Sequence, residues 1–132
     1  MGADPGAEAL AWAKTRLGTA PLLIYSTAAP EQVAASQQKL GREHAGELVE
    51  RTLAKIAQSL VAGGVRRLVV AGGETSGAVV TALGIEGLRV GREIDPGVPW
   101  TASLSDDPVA LALKSGNFGT DDFFIKAFDH LT

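Results

Sequence analysis

The sequence predicts an α/β fold: a three-layer, Rossmann-like domain with a mixed, mainly parallel sheet and an antiparallel strand pair near the C-terminus. Two short apolar runs, residues 21–25 and 65–71, lie on either side of a long amphipathic segment. This order of strand, helix and strand favours parallel pairing through a right-handed crossover. Further along, residues 101–104 and 109–113 have strand composition and are separated by a short turn. That arrangement predicts the antiparallel pair.

The composition indicates one soluble domain. A chain of 132 residues has room for one core, and its 45% hydrophobic and 20% charged residues are typical of globular proteins. The net charge of −3 argues against nucleic acid or an anionic membrane as a partner, and no apolar run reaches the length of about 18 residues that a spanning helix needs. The absence of cysteine excludes disulfides and thiolate chemistry. We expect a cytoplasmic protein, and the sequence is compatible with a homo-oligomer.

Four helices are predicted from capping residues and hydrophobic periodicity. Each segment repeats apolar residues at helical spacing and is bounded by capping or helix-breaking residues. The second segment is long and strongly amphipathic, which indicates that one of its faces packs on the sheet. The predicted helices run from Asp4 to Leu17, from Gly41 to Gly63, from Thr75 or Ser76 to Gly84, and from about Thr120 to Leu131.

The segment after the third helix predicts a strand and then a stiff turn. Residues 88–94 alternate apolar and polar side chains, which is typical of a strand with one wetter face. In residues 95–100, Pro96 and Pro99 flank a glycine, so this stretch is predicted to lie outside helices and central strands. The turn is either a rigid corner filled by Trp100 or the preformed wall of a ligand pocket.

A glycine-rich loop at residues 71–77 follows one apolar run and precedes another. The adjacent glycines Gly72 and Gly73 let the backbone approach a bound group closely, and Thr75 and Ser76 are residues that cap a helix and leave N–H groups pointing outward. A strand, a glycine turn and a helix start in this order are typical of an anion site. The loop is not a Walker A motif, because apolar residues stand where that motif needs its lysine and hydroxyl.

Two other interpretations of this loop remain open. It is compatible with a strand-to-helix connection that binds no ligand. It also fits the pattern G-x-[nucleophile]-x-G with Thr75 at the centre, which suggests an acyl hydrolase with His130 as the base.

A second polar loop, residues 114–119, directly follows the last predicted strand. Ligands of α/β sheets gather outside the carboxyl ends of the strands, so we expect this loop to lie beside the glycine-rich loop. Lys114 either neutralises phosphate charge or only stabilises the turn. Glu74 is a lone carboxylate that could act through a metal-bound water, but no set of side chains has metal-ligand spacing. No protein metal site is therefore predicted.

Three segments taken together, residues 71–77, 93–100 and 114–119, resemble one known family. The chain looks like the C-terminal nucleotide-binding domain of the four-carbon acid sugar kinases, the former DUF1537 group. The resemblance implies a transferase of carbohydrate metabolism that phosphorylates 3-oxo-tetronate, threonate or erythronate, with ATP and Mg²⁺ as cofactors. It also implies a further, N-terminal domain that binds the acid sugar through an Asp-Asp-x-Thr-Gly type of motif, which this sequence lacks.

Residues 1–132 are accordingly interpreted as a single nucleotide-binding domain, the C-terminal part of a two-domain kinase and inactive alone. The catalytic residues stay unassigned, with Lys114 as a candidate for charge stabilisation. A non-catalytic ligand-binding or interaction domain of the same fold is the alternative. The resemblance implies nucleotide contacts at Gly72, Gly73, Glu74, Thr75, Ser76, Gly77, Ser115 and Gly116.

Overall fold

The computed structural model describes residues 5–18, 20–25, 41–115 and 119–129. Its four helices are α1 (Pro5–Lys14), α2 (Arg42–Ala62), α3 (Gly73–Ala82) and α4 (Phe123–Asp129). Its four strands are β1 (Arg67–Ala71), β2 (Leu88–Asp95), β3 (Val98–Ser103) and β4 (Ala110–Lys114). Within these ranges, no helix combines the length and the apolar character needed to cross a membrane.

The four strands form one sheet in the order β1-β4-β3-β2. β1 pairs in parallel with β4, so that Ala71 lies opposite Lys114, whereas β3 is antiparallel to both β4 and β2. The predicted α/β class, the mixed sheet and the antiparallel pair near the C-terminus are confirmed. The sheet was predicted to be mainly parallel. Among the described strands, however, one pairing is parallel and two are antiparallel.

The predicted first strand, residues 21–25, is wrong. This segment has no regular secondary structure, and its large side chains Leu23 and Tyr25 are 58% and 67% exposed. The apolar run suggested a buried strand, but a strand also needs a neighbour with which to form hydrogen bonds. In the described sheet, the parallel partner of β1 is β4, which comes from the other end of the sequence.

The predicted helices are present, with adjusted ends. α1 and α2 lie within the predicted limits, and the C-terminal helix is described from Phe123 to Asp129. Asp4, His130 and Leu131, which were assigned to helix ends or to catalysis, lie outside the described residues.

Two buried clusters lie on opposite faces of the sheet and give the predicted three layers. One cluster joins β2, β3 and β4 to α4, and the other joins β1 to α2 and α3. Neighbouring residues of β1 alternate between them, because Val69 packs against the first cluster and Val70 belongs to the second. Trp100, which is part of β3, is buried in the first cluster, and its indole Nε1 donates to the Ala127 carbonyl at 2.7 Å.

The predicted stiff turn at residues 95–100 is shorter than expected. Only Pro96 and Gly97 lie between β2 and β3, and Pro99 is part of β3, a central strand. The prediction that Pro99 lies outside central strands is therefore wrong. The pairing of β2 with β3 is irregular on both sides of Glu93, the residue opposite Pro99, so the missing proline N–H falls at an interruption of the ladder.

Candidate functional site

The two predicted loops meet at one edge of the sheet. β1 and β4 are neighbours and parallel, so their carboxyl ends lie side by side. The Gly72 N–H donates to the Lys114 carbonyl at 2.8 Å. A Cβ atom placed on Gly73 would lie 3.4 Å from the hydroxyl of Ser115. The structure thus brings Gly73 and Ser115 together across the edge.

The first turn of α3 forms the centre of this edge. The helix begins at Gly73, and its N-cap residue Gly72 has φ 108° and provides no side-chain cap. The helix therefore starts two or three residues earlier than the predicted Thr75 or Ser76. Because Gly72 adopts a left-handed φ, the chain can reverse direction directly after β1, and both hydroxyl residues lie inside the first turn.

This helix start presents backbone donors. The Ser76 N–H donates to the Gly72 carbonyl at 2.9 Å, which closes the first helical turn. The preceding N–H groups, those of Gly73, Glu74 and Thr75, have no acceptor within a regular helix. Such groups, together with the helix dipole, favour a bound anion.

Ser76 is a buried hydroxyl without a hydrogen-bond partner in the described part of the chain. Its side chain is 8% exposed, and it lies in the first turn of α3. An unsatisfied buried hydroxyl costs about 1–3 kcal/mol. A polar ligand at this helix end could satisfy it.

The remaining predicted residues lie around the same edge or outside the described ranges. Lys114 is half-buried at the end of β4, and Ser115 is exposed beside it. Gly77 is exposed one turn further along α3, and a Cβ atom there would meet nothing within 4 Å. Gly116 lies outside the described residues.

A carboxyl pair, Glu50 and Glu74, joins α2 to the start of α3. A hydrogen bond that protonated Glu50 donates to Glu74 raises the pKa of Glu50, and burial and the negative charges of Glu74 and Glu47 act in the same direction. Glu50 was not predicted, because nothing in the sequence connects this helical residue to the distant loop. Residues 41–115 and the other described ranges contain no group of three or more side chains that could hold a metal ion. Two carboxylates are nevertheless a fitting protein contribution to Mg²⁺, which takes its other ligands from phosphates and water.

A shallow groove that is wide open to solvent runs between α2 and α3, and we call it the α2–α3 groove. Its volume is about 730 Å³. It starts at the first turn of α3 and extends to the end of that helix. The residues that line it are Glu50, Arg51, Ala54, Lys55 and Gln58 from α2, and Gly73, Glu74, Gly77, Ala78, Thr81 and Ala82 from α3.

Asp95, at the end of β2, anchors the segment that follows the second loop. This carboxylate is 6% exposed and accepts hydrogen bonds from the Thr120 N–H at 3.0 Å and from the Lys126 ammonium. The Lys126 hydrogen bond, followed by that of the Thr120 N–H, lowers the pKa of Asp95. The sequence placed Asp95 in a turn and gave no sign of this anchoring role, since its partners come from α4 and the residues before it.

Comparison with known proteins identifies related chains. A family model described as a nucleotide-binding C-terminal domain matches residues 3–124. A 3-oxo-tetronate kinase from Burkholderia multivorans is 63% identical over 120 residues, which cover 91% of this chain and 28% of that protein. A 3-oxo-tetronate kinase from Pseudomonas fluorescens is 58% identical over 124 residues, which cover 94% of this chain and 28% of that protein.

Solved structures agree with this assignment. A Haemophilus influenzae protein of the DUF1537 family has a TM-score of 0.89 and 37% identity to this chain, and the match covers 99% of this chain and 32% of that one. The chain therefore spans 28% to 32% of the length of these three relatives.

Proposed function

The chain belongs to the family of nucleotide-binding C-terminal domains, and we propose that it binds ATP for a kinase that phosphorylates a four-carbon acid sugar in the cytoplasm. 3-Oxo-tetronate is the proposed substrate, because relatives that are 63% and 58% identical are 3-oxo-tetronate kinases. One observation carries the nucleotide site: the donor-rich start of α3 and the loop at Ser115 lie together at the carboxyl edge of β1 and β4.

Phosphoryl transfer depends mainly on positioning and on stabilising the charge that spreads over the transferring group. The N–H groups of Gly73, Glu74 and Thr75 would donate to phosphate oxygens, and the Ser76 hydroxyl would gain an acceptor or donor that it lacks without a ligand. Lys114 would add a positive charge at the same edge. Each of these groups binds or orients the nucleotide, and none of them is a base for the sugar hydroxyl.

Mg²⁺ fits this edge through Glu74 and Glu50, acting directly or through water, together with the nucleotide phosphates. When bound, the ion supplies charge neutralisation at the phosphates. The acid sugar would bind to the part of the kinase that this chain does not include, which the 28% coverage of the relatives implies.

A titration calorimetry experiment tests the nucleotide site. A Cβ atom added at Gly73 would lie 3.4 Å from the Ser115 hydroxyl, and valine adds two further carbons, so we expect Gly73→Val to weaken Mg-ATP binding about tenfold or more. Ala62→Val, at the exposed end of α2, is the matched control and should leave the affinity unchanged. Equal affinity in the wild-type chain and in Gly73→Val would exclude this phosphate site.

A second experiment tests the reaction. The chain is fused to the preceding part of the B. multivorans relative, and ATP-dependent phosphorylation of 3-oxo-tetronate is measured with the fusion and with the chain alone. We expect turnover only with the fusion. A fusion that binds both ATP and 3-oxo-tetronate but transfers no phosphate would favour a non-catalytic binding domain instead.

A further inference from the structure

Asp95 is a buried carboxylate at the same edge of the sheet as the proposed phosphate site. It ends β2, which runs in the same direction as β1 and β4, the strands whose ends bring Gly73 and Ser115 together. At 6% exposure, Asp95 is enclosed by protein rather than open to a ligand. We propose that Asp95 is a positioning residue for ATP binding: it fixes the far end of the second loop, at Thr120, and so holds Ser115 beside Gly73. This role rests on the proposed function, since it requires phosphates to bind at this edge.

The two ends of the second loop are tied to the sheet edge by separate hydrogen bonds. At the near end, the Lys114 carbonyl accepts from the Gly72 N–H at 2.8 Å. At the far end, the Thr120 N–H donates to the Asp95 carboxylate at 3.0 Å. Only five residues, 115–119, lie between these two points. Ser115 therefore belongs to a short span of chain whose two ends are fixed.

Gly119 adds a steric constraint at the far end of the loop. It has φ 91°, and a Cβ atom there would lie 2.9 Å from the ring of Phe123. Phe123 is 1% exposed and belongs to the buried cluster that joins α4 to the sheet. The chain thus enters Thr120 along a path that the core determines, and the Asp95 carboxylate accepts the next N–H on that path.

The Asp95 carboxylate uses one oxygen for each of two donors. Oδ2 accepts from the Thr120 N–H, and Oδ1 accepts from the Lys126 ammonium. Hydrogen bonds to an ionised group are shorter and stronger than those between neutral groups, whereas a buried ion pair adds little net stability compared with apolar side chains of the same volume. The effect that we assign to the carboxylate is therefore on geometry: it fixes Thr120 and α4 at the end of β2.

A loop that is fixed in advance makes binding more favourable. A ligand that has to order a loop loses part of its binding free energy, and a site whose loop is already fixed avoids this loss. Releasing Thr120 should therefore weaken ATP binding, although Asp95 itself makes no contact with the nucleotide.

Calorimetric titration with Mg-ATP tests the positioning role. An asparagine side chain has one acceptor oxygen and one NH₂ donor, so Asp95→Asn can serve only one of the two donors, and we expect it to weaken ATP binding about three- to tenfold. Adding Lys126→Met removes the competing ammonium and leaves the amide oxygen to the Thr120 N–H. The double variant should therefore bind ATP more tightly than Asp95→Asn does.

Trp100→Phe is the matched control. It removes the hydrogen bond from the indole to the Ala127 carbonyl, which also ties α4 to the sheet, but it leaves the end of the loop intact. Its ATP affinity should differ from that of the wild-type chain by less than about twofold. Urea unfolding of each variant identifies a temperature at which all the chains are folded, so that a weaker affinity does not reflect unfolded protein.

The outcomes separate this role from the phosphate site itself. If Asp95→Asn binds ATP as tightly as the wild-type chain does, the positioning role is overturned and the phosphate site stands. A double variant that binds no better than Asp95→Asn, or an equal loss of affinity in Trp100→Phe, would also overturn it. If the wild-type chain does not bind Mg-ATP, the proposed function fails, and the positioning role fails with it.

Amide hydrogen exchange in the wild-type chain does not depend on the folding of any variant. NMR measures the exchange rate of the Thr120 N–H with and without Mg-ATP. Because Asp95 accepts this N–H in the absence of a ligand, we expect slow exchange already in the ligand-free chain. Exchange at the rate of an unfolded chain without the ligand, whether or not Mg-ATP slows it, would show that Asp95 does not fix the loop.

Discussion

Replacing Ser76 by alanine should stabilise the ligand-free chain and weaken its binding of ATP. The Ser76 hydroxyl is buried and has no hydrogen-bond partner in the described residues, so its desolvation, at about 1–3 kcal/mol, is not compensated. Alanine also has a higher helix propensity than serine, by up to about 0.5 kcal/mol. We therefore expect Ser76→Ala to raise the free energy of unfolding by about 1–2 kcal/mol, which corresponds to a rise in melting temperature of about 3–8 °C.

Although Ser76→Ala should stabilise the chain, it should weaken the binding of ATP. If the hydroxyl donates to a phosphate oxygen, the lost hydrogen bond to a charged group is worth about 1.5–3 kcal/mol. At 1.4 kcal/mol for each factor of ten, ATP binding should weaken about 10- to 100-fold. Urea unfolding measures the stability, and calorimetric titration with Mg-ATP measures the affinity.

Ser103 provides the matched control for this pair of measurements. It is also a buried serine, at 7% exposure, but its hydroxyl accepts a hydrogen bond from the Val109 N–H at 2.8 Å. Ser103→Ala leaves that N–H without its acceptor and should destabilise the chain by about 1–3 kcal/mol, with little effect on ATP affinity. The reasoning is refuted if Ser76→Ala destabilises the chain as Ser103→Ala does, or if its ATP affinity stays at the wild-type level.

Three further predictions concern the carboxyl groups and one glycine. The pKa of Asp95 is lowered, so its contribution to stability is present above the unfolded-state pKa and is lost as pH falls through the folded-state pKa. In urea unfolding measured from about pH 5 downward, Asp95→Asn should therefore lose less stability with falling pH than the wild-type chain does. An unchanged dependence on pH would contradict the pairing of Asp95 with Lys126. The pKa of Glu50 is raised, so its contribution to stability is present at low pH and is lost as pH rises through the folded-state pKa. Glu50→Gln should therefore be more stable than the wild-type chain at pH 7 but not at pH 4. A stability difference that does not vary with pH would argue against the carboxyl pair. Gly72 has φ 108°, so Gly72→Ala should lower the free energy of unfolding by about 1–2 kcal/mol. Gly46 lies in the second turn of α2, where a Cβ atom would meet nothing within 4 Å, so Gly46→Ala should raise the free energy of unfolding by about 0.5–1 kcal/mol. Two changes of the same sign would contradict the strain argument.

Local signals in the sequence located the glycine loop, the long helix and the late antiparallel pair correctly. α2 has a strong amphipathic period, and the glycine-rich loop lies between two apolar runs, so neither depends on distant parts of the chain. The parallel partner of β1 could not be predicted from such signals. Residues 21–25 have strand composition but no strand structure, because a strand is defined by the neighbour that accepts its hydrogen bonds.

Only part of the candidate site could likewise be predicted from the sequence. The carboxyl-edge rule predicted that Gly73 and Ser115 would lie close together, and their proximity needs only the parallel pairing of their strands. Glu50, Asp95 and the α2–α3 groove were not predicted. Each of them depends on how two helices, or a strand and a helix, pack against each other, and side-chain spacing along one segment carries no information about that.

The mixed sheet also explains how one edge collects three parts of the site. β3 is antiparallel to β4 and to β2, so β2 and β4 run in the same direction as β1. The carboxyl ends of β1, β4 and β2 therefore lie at the same edge, at Ala71, Lys114 and Asp95. The hydrogen bond from the Thr120 N–H to Asp95 is consistent with this geometry, because it places the residue before α4 at the end of β2. The two antiparallel pairings thus leave this shared carboxyl edge intact, since they reverse only β3.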